Sequence, residues 1–262
     1  MKIIVSIKQV PDTTEVRINP ETGTLMRDGV PSIINPFDEN AIECALQLVE
    51  KHGGKSTIIT MGPPQAQQAL RDALAMGADE AILVSDRAFA GSDTLATSYT
   101  LAQTVRKIGE YDLIICGKQA FDGDTAQVGP GLAEHLGIPQ VTYAIDVELD
   151  ASGKKARVKR LLSDRFEIVE CKLPCLITVV KQMNEPRHAS LKNVMKARKK
   201  EIPTWTAADI EADVDRCGLN GSPTNVMRVF APQRHAHGRK LQGEVPEMVA
   251  ELIKELRGKQ VV

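Results

Sequence analysis

The chain has 262 residues, 42% hydrophobic and 26% charged, which suits a soluble globular protein with one large α/β domain and an appended arm. Its 33 basic and 34 acidic residues give a net charge of -1, and only 3% of residues are aromatic. That excludes a chain-wide nucleic-acid footprint and leaves little for base stacking. No apolar run is long enough to span a bilayer, and five cysteines without a CxxC pair suggest reduced thiols in a cytoplasmic setting.

Ile3-Ile4-Val5-Ser6-Ile7 predicts a buried strand rather than a secretion signal. Val16 to Ser32, with Asn19-Pro20, Gly23 and Asp28-Gly29, reads as a hairpin excursion. Asp38-Glu39-Asn40 opens a helix with Ala41, Ile42, Ala45, Leu46 and Val49 on one face, ended by Lys51 to Gly54. A strand from Ser56 to Met61, a Gly62-Pro63-Pro64 turn and a helix from Gln65 to Met76 follow. Then come strand Ala81 to Val84, the turn Gly91-Ser92-Asp93-Thr94 and a helix from Leu95 to Ile108. Apolar strands alternating with amphipathic helices predict an α/β fold with a parallel sheet, whose ligands sit beyond the carboxyl ends of the strands.

The strand from Tyr111 to Cys116 leads into Gly117-Lys118-Gln119-Ala120-Phe121-Asp122-Gly123-Asp124-Thr125-Ala126-Gln127-Val128-Gly129-Pro130, and a helical run from Gly131 to Leu136 follows. A small, polar turn there offers backbone N–H groups and a helix dipole to a phosphate. It has neither a Walker lysine nor a GxGxxG pattern. Val141 to Val180 is strand-rich, with a hairpin turn at Asp150-Ala151-Ser152-Gly153. Cys171 and Cys175 lack further zinc ligands nearby and read as buried strand cysteines. Beyond Asn184 lies a basic stretch, Arg187 to Lys200, then a tail from Val226 to Gly243 without core periodicity and a last helix from Val245 to Leu256. The boundaries expected are a nucleotide-binding domain over 1–225 and an arm over 226–262 that lies on another subunit. His235 and His237 form an HxH with no third ligand, so no metal site is expected.

Five blocks, in this order, resemble the beta (small) subunit of electron-transfer flavoproteins. They are Ser6-Ile7-Lys8-Gln9-Val10-Pro11-Asp12, Ile34-Asn35-Pro36-Phe37-Asp38-Glu39, Ala73-Leu74-Ala75-Met76-Gly77-Ala78-Asp79, Gly117 through Gly129, and Asn184-Glu185-Pro186-Arg187 through Lys200. The chain departs from the pattern at Ser163-Asp164-Arg165-Phe166, where many members have an acidic-glycine turn. The resemblance implies a Rossmann-like, adenine-nucleotide-hydrolase-like α/β fold and a heterodimer with an alpha subunit. The alpha subunit's FAD exchanges electrons with acyl-CoA dehydrogenases. In one branch the beta subunit holds a structural AMP. In the electron-bifurcating branch it holds a second FAD reduced by NADH, which divides electrons between a ferredoxin or flavodoxin and the alpha-subunit FAD.

The segment Asp86 to Thr97 looks like the bifurcating pattern. There Gly91 and Ser92 would leave room for an isoalloxazine, and Ser92, Asp93, Thr94 and Thr97 would offer partners to ribityl hydroxyls. Ser92 or Asp93 as a plain helix cap stays open beside that. The resemblance further implies that Ser6 and Lys8 line the adenosine site, with Lys8 meeting a phosphate. Asn35 would contact adenine or ribose, or serve as a turn residue. Met61 would flank the adenine edge or fill core. Gly117 opens the loop in which Gly123, Thr125, Ala126, Gln127 and Val128 would donate to phosphates, with Asp122 and Asp124 fixing the loop or meeting ribose hydroxyls. No side chain is expected to act as a catalytic acid or base. Arg187 and Leu191 belong to a segment like the family's dehydrogenase-docking loop, Leu191 being an apolar residue in a polar run. A stand-alone nucleotide-binding signalling module remains the alternative of another class. An adenylating enzyme is excluded by the lack of an SGGxDS-type loop after the first strand.

Overall fold

The computed structural model describes residues 1–12, 17–18, 25–26, 31–150, 153–227, 238 and 240–261. In chain order the elements are β1 (Lys2–Ser6), β2 (Gln9–Pro11), β3 (Arg17–Ile18), β4 (Leu25–Met26), β5 (Ser32–Ile34), α1 (Pro36–His52), β6 (Lys55–Met61), α2 (Gln67–Met76), β7 (Glu80–Val84), α3 (Thr94–Ile108), β8 (Leu113–Gly117), α4 (Val128–Leu136), β9 (Gln140–Leu149), β10 (Lys155–Leu161), β11 (Phe166–Lys172), β12 (Cys175–Val179), α5 (Leu191–Lys199), β13 (Thr204–Trp205) and α6 (Val245–Gly258). Short 3-10 turns precede α2 and α3, at Pro64–Ala66 and Arg87–Phe89.

The larger of two units, Met1–Arg17 with Leu25–Met227, holds a nine-stranded sheet of order β11-β10-β9-β12-β8-β1-β6-β7-β13. Pairing is parallel from β9 through β12, β8, β1, β6 and β7 to β13, and antiparallel along β9, β10 and β11. Because successive strand residues point to opposite faces, the central strands read as unbroken apolar runs and serve two cores. Ile3, Val5, Ile58 and Ile115 pack with residues of α1 and α2 on one face. Ile4, Ile59, Ile114 and Leu176 pack with Leu101, Val105 and Leu132 of α3 and α4 on the other.

This winding sets the site. From β1 the chain proceeds through α1 and α2 to β6 and β7 on one side, and α3 then carries it back to β8 on the far side of β1. The strand order reverses between β1 and β8, so the loops at their carboxyl ends diverge and leave a crevice. The parallel-sheet expectation holds, and the differences are local. Pro36 takes the first position of α1, where its missing N–H costs nothing, so the helix starts ahead of Asp38. α4 starts at Val128 and contains Gly129, whose added Cβ would lie 2.7 Å from Thr178 Cγ2. β13 pairs with Leu83 and Val84 through two residues only, too short to leave a sequence signal. The basic stretch contains α5, whose apolar residues Leu191 and Met195 are exposed and which fully buries only Ala197.

All five cysteines are buried free thiols, with Cys171 on β11 and Cys175 on β12. The expected hairpin excursion contributes β3 and β4, and its Asn19-Pro20, Gly23 and Asp28-Gly29 lie outside the described residues. So do Ala151, Ser152, His235 and His237. The smaller unit, Ile18–Thr24 with Arg228–Val262, contains α6, whose Val245, Val249, Leu252 and Ile253 recur at helical spacing and are exposed. Among the described residues no helix is long and apolar enough to cross a membrane.

Ile114→Ala, at a fully buried position of β8, is expected to cost about 2–5 kcal/mol in urea unfolding. Ile168→Ala, on the exposed side of β11, is expected to change stability by no more than about 0.5 kcal/mol.

Candidate nucleotide-binding site

The crevice is organised by a carboxylate that no ligand argument requires. Asp38 lies in the first turn of α1 and is only 5% exposed. Its Oδ2 accepts the Lys8 backbone N–H at 2.7 Å and its Oδ1 accepts that of Gly117 at 3.1 Å. One side chain thus joins the segment after β1, the end of β8 and the start of α1. Burial pushes its pKa up to about 7, against the Lys8 and Gly117 backbone donors, the Asn35 amide and the Lys8 charge. Glycine is required at 117, since an added Cβ would lie 2.2 Å from Asp38 Oδ1.

Asn35 precedes α1 and holds the phosphate-type loop from the other side. Its Nδ2 donates to the Gln119 carbonyl at 2.8 Å and its Oδ1 accepts the Phe121 N–H at 2.9 Å. The residue expected to meet adenine or ribose therefore has both ends of its amide on loop backbone. Its own N–H donates to the Lys8 carbonyl at 2.9 Å.

Beyond Phe121 the loop is mostly exposed. Asp124 and Ala126 have φ of 51° and 54°, and such left-handed residues turn successive N–H groups into a concavity. The Asp124 carboxylate is held by Gln119 Nε2, and its N–H donates to the Ala120 carbonyl at 2.9 Å. The Lys8 ammonium lies 2.6 Å from Asp122 Oδ1, at the mouth of the loop near Gly123. Gln127 stands at the N-cap of α4 without capping it, and its Oε1 instead accepts the Thr94 hydroxyl at 2.8 Å. The start of α4 thus keeps a positive dipole end with no side-chain cap, beside Thr125 and the N–H groups of Ala126 to Val128.

In the turn after β7 the helix-cap alternative is present at Asp93. Asp93 caps α3: Oδ1 accepts the Leu95 and Ala96 N–H groups at 2.9 and 3.1 Å. Oδ2 accepts the Thr224 N–H at 3.1 Å and hydroxyl at 2.8 Å. Burial opposes ionisation, but donors from Ala96, Thr224 and Leu95 outweigh it and hold the carboxyl below its usual range. Ser92 Oγ donates to the Phe89 carbonyl at 2.8 Å and accepts the Gly218 N–H at 3.1 Å. Gly91 has φ of 75°, and an added Cβ would meet Leu219 at 2.7 Å. Its small size here serves the turn and the close approach of Leu219. Thr97 is half-buried in the first turn of α3, where its N–H donates to the Asp93 carbonyl.

Ser6 is buried within β1, between Ile59 and Cys116. Met61 ends β6 half-buried against two core clusters, and the next N–H, of Gly62, donates to the Val84 carbonyl at 3.0 Å. The structure gathers Lys8, Asn35, Gly117, Asp122 to Val128 and Thr94 at one crevice. Asp38, Leu219, Ser222 (whose Oγ accepts the Asp93 N–H at 2.8 Å) and Thr224 were not foreseen. Asp38 stood in a quoted block but read as a plain helix-opening acid, and the other three sit in a segment without periodicity. Arg187 and Leu191 lie elsewhere, against α1 and at the start of α5.

A doubly wound parallel sheet with polar loops at its switch point defines a Rossmann-like α/β domain. The profile described as electron transfer flavoprotein domain matches residues 22–210. The chain is 52% identical over 263 residues to the electron transfer flavoprotein subunit beta of Thermoanaerobacterium thermosaccharolyticum, covering all of both chains. It is 48% identical over 264 residues to the caffeyl-CoA reductase-Etf complex subunit CarD of Acetobacterium woodii, again covering all of both. It is 50% identical over 242 residues to protein FixA of Azorhizobium caulinodans, covering 90% of this chain and 86% of that one. This chain belongs to the electron-transfer flavoprotein family as a beta subunit, the partner of an alpha subunit.

Because burial raises the Asp38 pKa from 3.8 to about 7, the native state binds the extra proton between those values, and stability falls as pH rises through that window. Asp38→Asn is expected to remove this slope, as read from urea unfolding at several pH values.

Proposed function

We propose that this beta subunit, together with its alpha subunit, holds an FAD at the switch-point loops of an electron-bifurcating electron-transfer flavoprotein. When bound, that flavin would supply the redox chemistry, taking hydride from NADH and dividing electrons between a low-potential ferredoxin or flavodoxin and the alpha-subunit FAD that serves an acyl-CoA dehydrogenase. The observation that carries the reading is the junction of the two loops. Thr94, from the turn after β7, donates to Gln127 at the start of α4, so a diphosphate at α4 would lie beside the segment that resembles the bifurcating pattern. Full-length similarity to CarD of a caffeyl-CoA reductase-Etf complex points the same way.

In this reading the residues bind and orient. Backbone N–H groups of Gly123 and Thr125 to Val128, with the Thr125 hydroxyl, face a diphosphate, and the dipole of α4 favours its charge. Lys8 exchanges Asp122 for a phosphate oxygen, and Asp122 turns to a ribose hydroxyl. Ser6, Asn35 and Met61 line the adenosine end, with Asn35 setting the loop. Leu191, 78% exposed at the start of α5, is the apolar point that enters the dehydrogenase.

A second reading, a structural AMP and no redox centre in this subunit, draws on a specific observation. Ser92 and Asp93 already spend their side chains on the protein, and Leu219 covers Gly91. AMP needs only the phosphate loop and the adenosine end. The heterodimer, co-expressed with its alpha subunit, denatured and chromatographed, is expected to release two FAD. One FAD and one AMP would overturn the FAD reading and leave this chain as a scaffold for single-flavin transfer.

A further inference from the structure

We infer that Arg187 is a positioning residue: with Glu43 and Glu50 of α1 it fixes the base of the 184–200 segment, and so presents Leu191 and Met195 as a preformed apolar ridge. The consequence for partner binding rests on the docking reading above, whereas the clamp itself does not.

The segment packs on the domain through Ala197 and the half-buried Val194, and polar contacts supply the rest of its hold. α5 fully buries only Ala197, and a cleft of about 590 Å³ undercuts it, lined among others by Ile34, Glu39, Met76, His188 and Val194. Leu191 is 78% and Met195 57% exposed, four residues apart and therefore on one helical face. Beyond the packing of Val194 and Ala197, a polar anchor fixes the direction of that face.

The base supplies it. Arg187 Nε and Nη2 donate to the two oxygens of Glu43 at 2.8 and 3.0 Å, and Nη1 and Nη2 donate to the two oxygens of Glu50 at 2.5 and 3.0 Å. The Arg187 backbone N–H adds a bond to Glu43 at 3.2 Å. One guanidinium thus forks onto two carboxylates about two helical turns apart on α1, a geometry lysine cannot reproduce. The Glu43 side chain is only 5% exposed, so without Arg187 its charge would be buried unpaired. Burial works against ionisation of Glu43, yet the Arg187 bonds outweigh it and keep the carboxyl below its usual range. Just before Arg187, Asn184 and Asn40 exchange bonds: Asn40 Nδ2 donates to the Asn184 carbonyl at 2.7 Å, and Asn184 Nδ2 to the Asn40 carbonyl at 3.0 Å. At the far end, Arg71 of α2 donates to the carbonyls of Ala197 and Lys200 at 2.8 and 3.2 Å. Ser190 caps α5 through the Asn193 N–H. Both ends are tied down, and a ridge ordered in advance loses less entropy on binding.

Arg187 thus serves the docking segment from its base, with its donors facing α1. Two readouts on the intact heterodimer test this. In hydrogen exchange, Arg187→Ala is expected to speed the amides of 188–199 by about tenfold with the sheet unchanged, reflecting a local opening. In steady-state transfer, with the heterodimer varied as electron acceptor of an acyl-CoA dehydrogenase, Arg187→Ala is expected to raise KM about fivefold and leave kcat alone. Arg187→Lys should restore part of each effect. Glu50→Ala, which removes an exposed partner and leaves Glu43 paired, should show a smaller change in both and guards against a folding failure of Arg187→Ala. Unchanged exchange in Arg187→Ala and Glu50→Ala would overturn the clamp. Faster exchange with unchanged KM, where Leu191→Ala does raise KM, would overturn its role in presentation. An unchanged KM in Leu191→Ala would overturn the docking reading, and the exchange result would then decide the clamp by itself.

Discussion

The buried Asp38 carboxylate is the contact on which the site depends. The three pieces it joins, the segment after β1, the end of β8 and the first turn of α1, lie 30 and 79 residues from Asp38 or at Asp38 itself. A parallel sheet aligns strands but does not fix the loops at their carboxyl ends, because each leads into a different helix. Asp38 does so by satisfying two backbone donors that would otherwise be buried or left to water. Asn35 extends the same device three residues earlier, binding the loop at Gln119 and Phe121. The exposed half of the loop, from Asp122 to Gln127, is therefore anchored at its base and open at its tip. Backbone donors are thereby set in place before any anion arrives.

That anchoring explains which parts of the site were legible in the sequence. The alternation of apolar runs with helical stripes gave the sheet, its two-sided cover and the carboxyl-end loops, since burial on both faces forces β1, β6 and β8 to be continuously apolar. The loop from Gly117 was legible because small and polar residues between a strand and a helix have few other uses. Asp38 was not. An acid in a first helical turn is expected there for the dipole alone, and nothing local reveals that Gly117 will bring a second donor. Asp93 shows the same ambiguity resolved toward structure: the pattern Gly-Ser-Asp-Thr fits a ligand turn and a helix cap equally, and the second pair of bonds comes from Thr224, 131 residues away.

The basic stretch hid its order for a related reason. Sequence periodicity detects helices through their buried stripe, and α5 has almost none, with Ala197 its one fully buried residue. Much of its hold comes from ion pairs and side-chain amide hydrogen bonds between residues 144 apart in the chain, Arg187 with Glu43 and Asn184 with Asn40. Such contacts leave only scattered charges in the sequence, which do not reveal a helix by themselves. The exposed Leu191 was visible by contrast with its polar neighbours, whereas Met195 gains meaning only once the helix places it one turn further along the same face.

The two candidate cofactors differ in what they ask of the fold. In either reading the loop after β8, Lys8 and the adenosine end would serve AMP and FAD alike, because the shared adenylate portion carries the charge and the hydrogen-bonding edge. Only an FAD reaches past the phosphates toward the turn after β7, where Leu219 now lies against Gly91. Leu219 is 60% exposed, so turning it away gives up little buried area and costs little. Ser92 and Asp93 are harder to free, since each holds bonds to the 218–224 segment that also fix the start of α3. A flavin accommodated here would therefore displace Leu219 while the capping network stays intact, and its ribityl hydroxyls would find Thr94 and Thr97 before Ser92 or Asp93. The choice between the two cofactors thus falls on one exposed leucine and two threonines, whereas the buried polar framework is common to both.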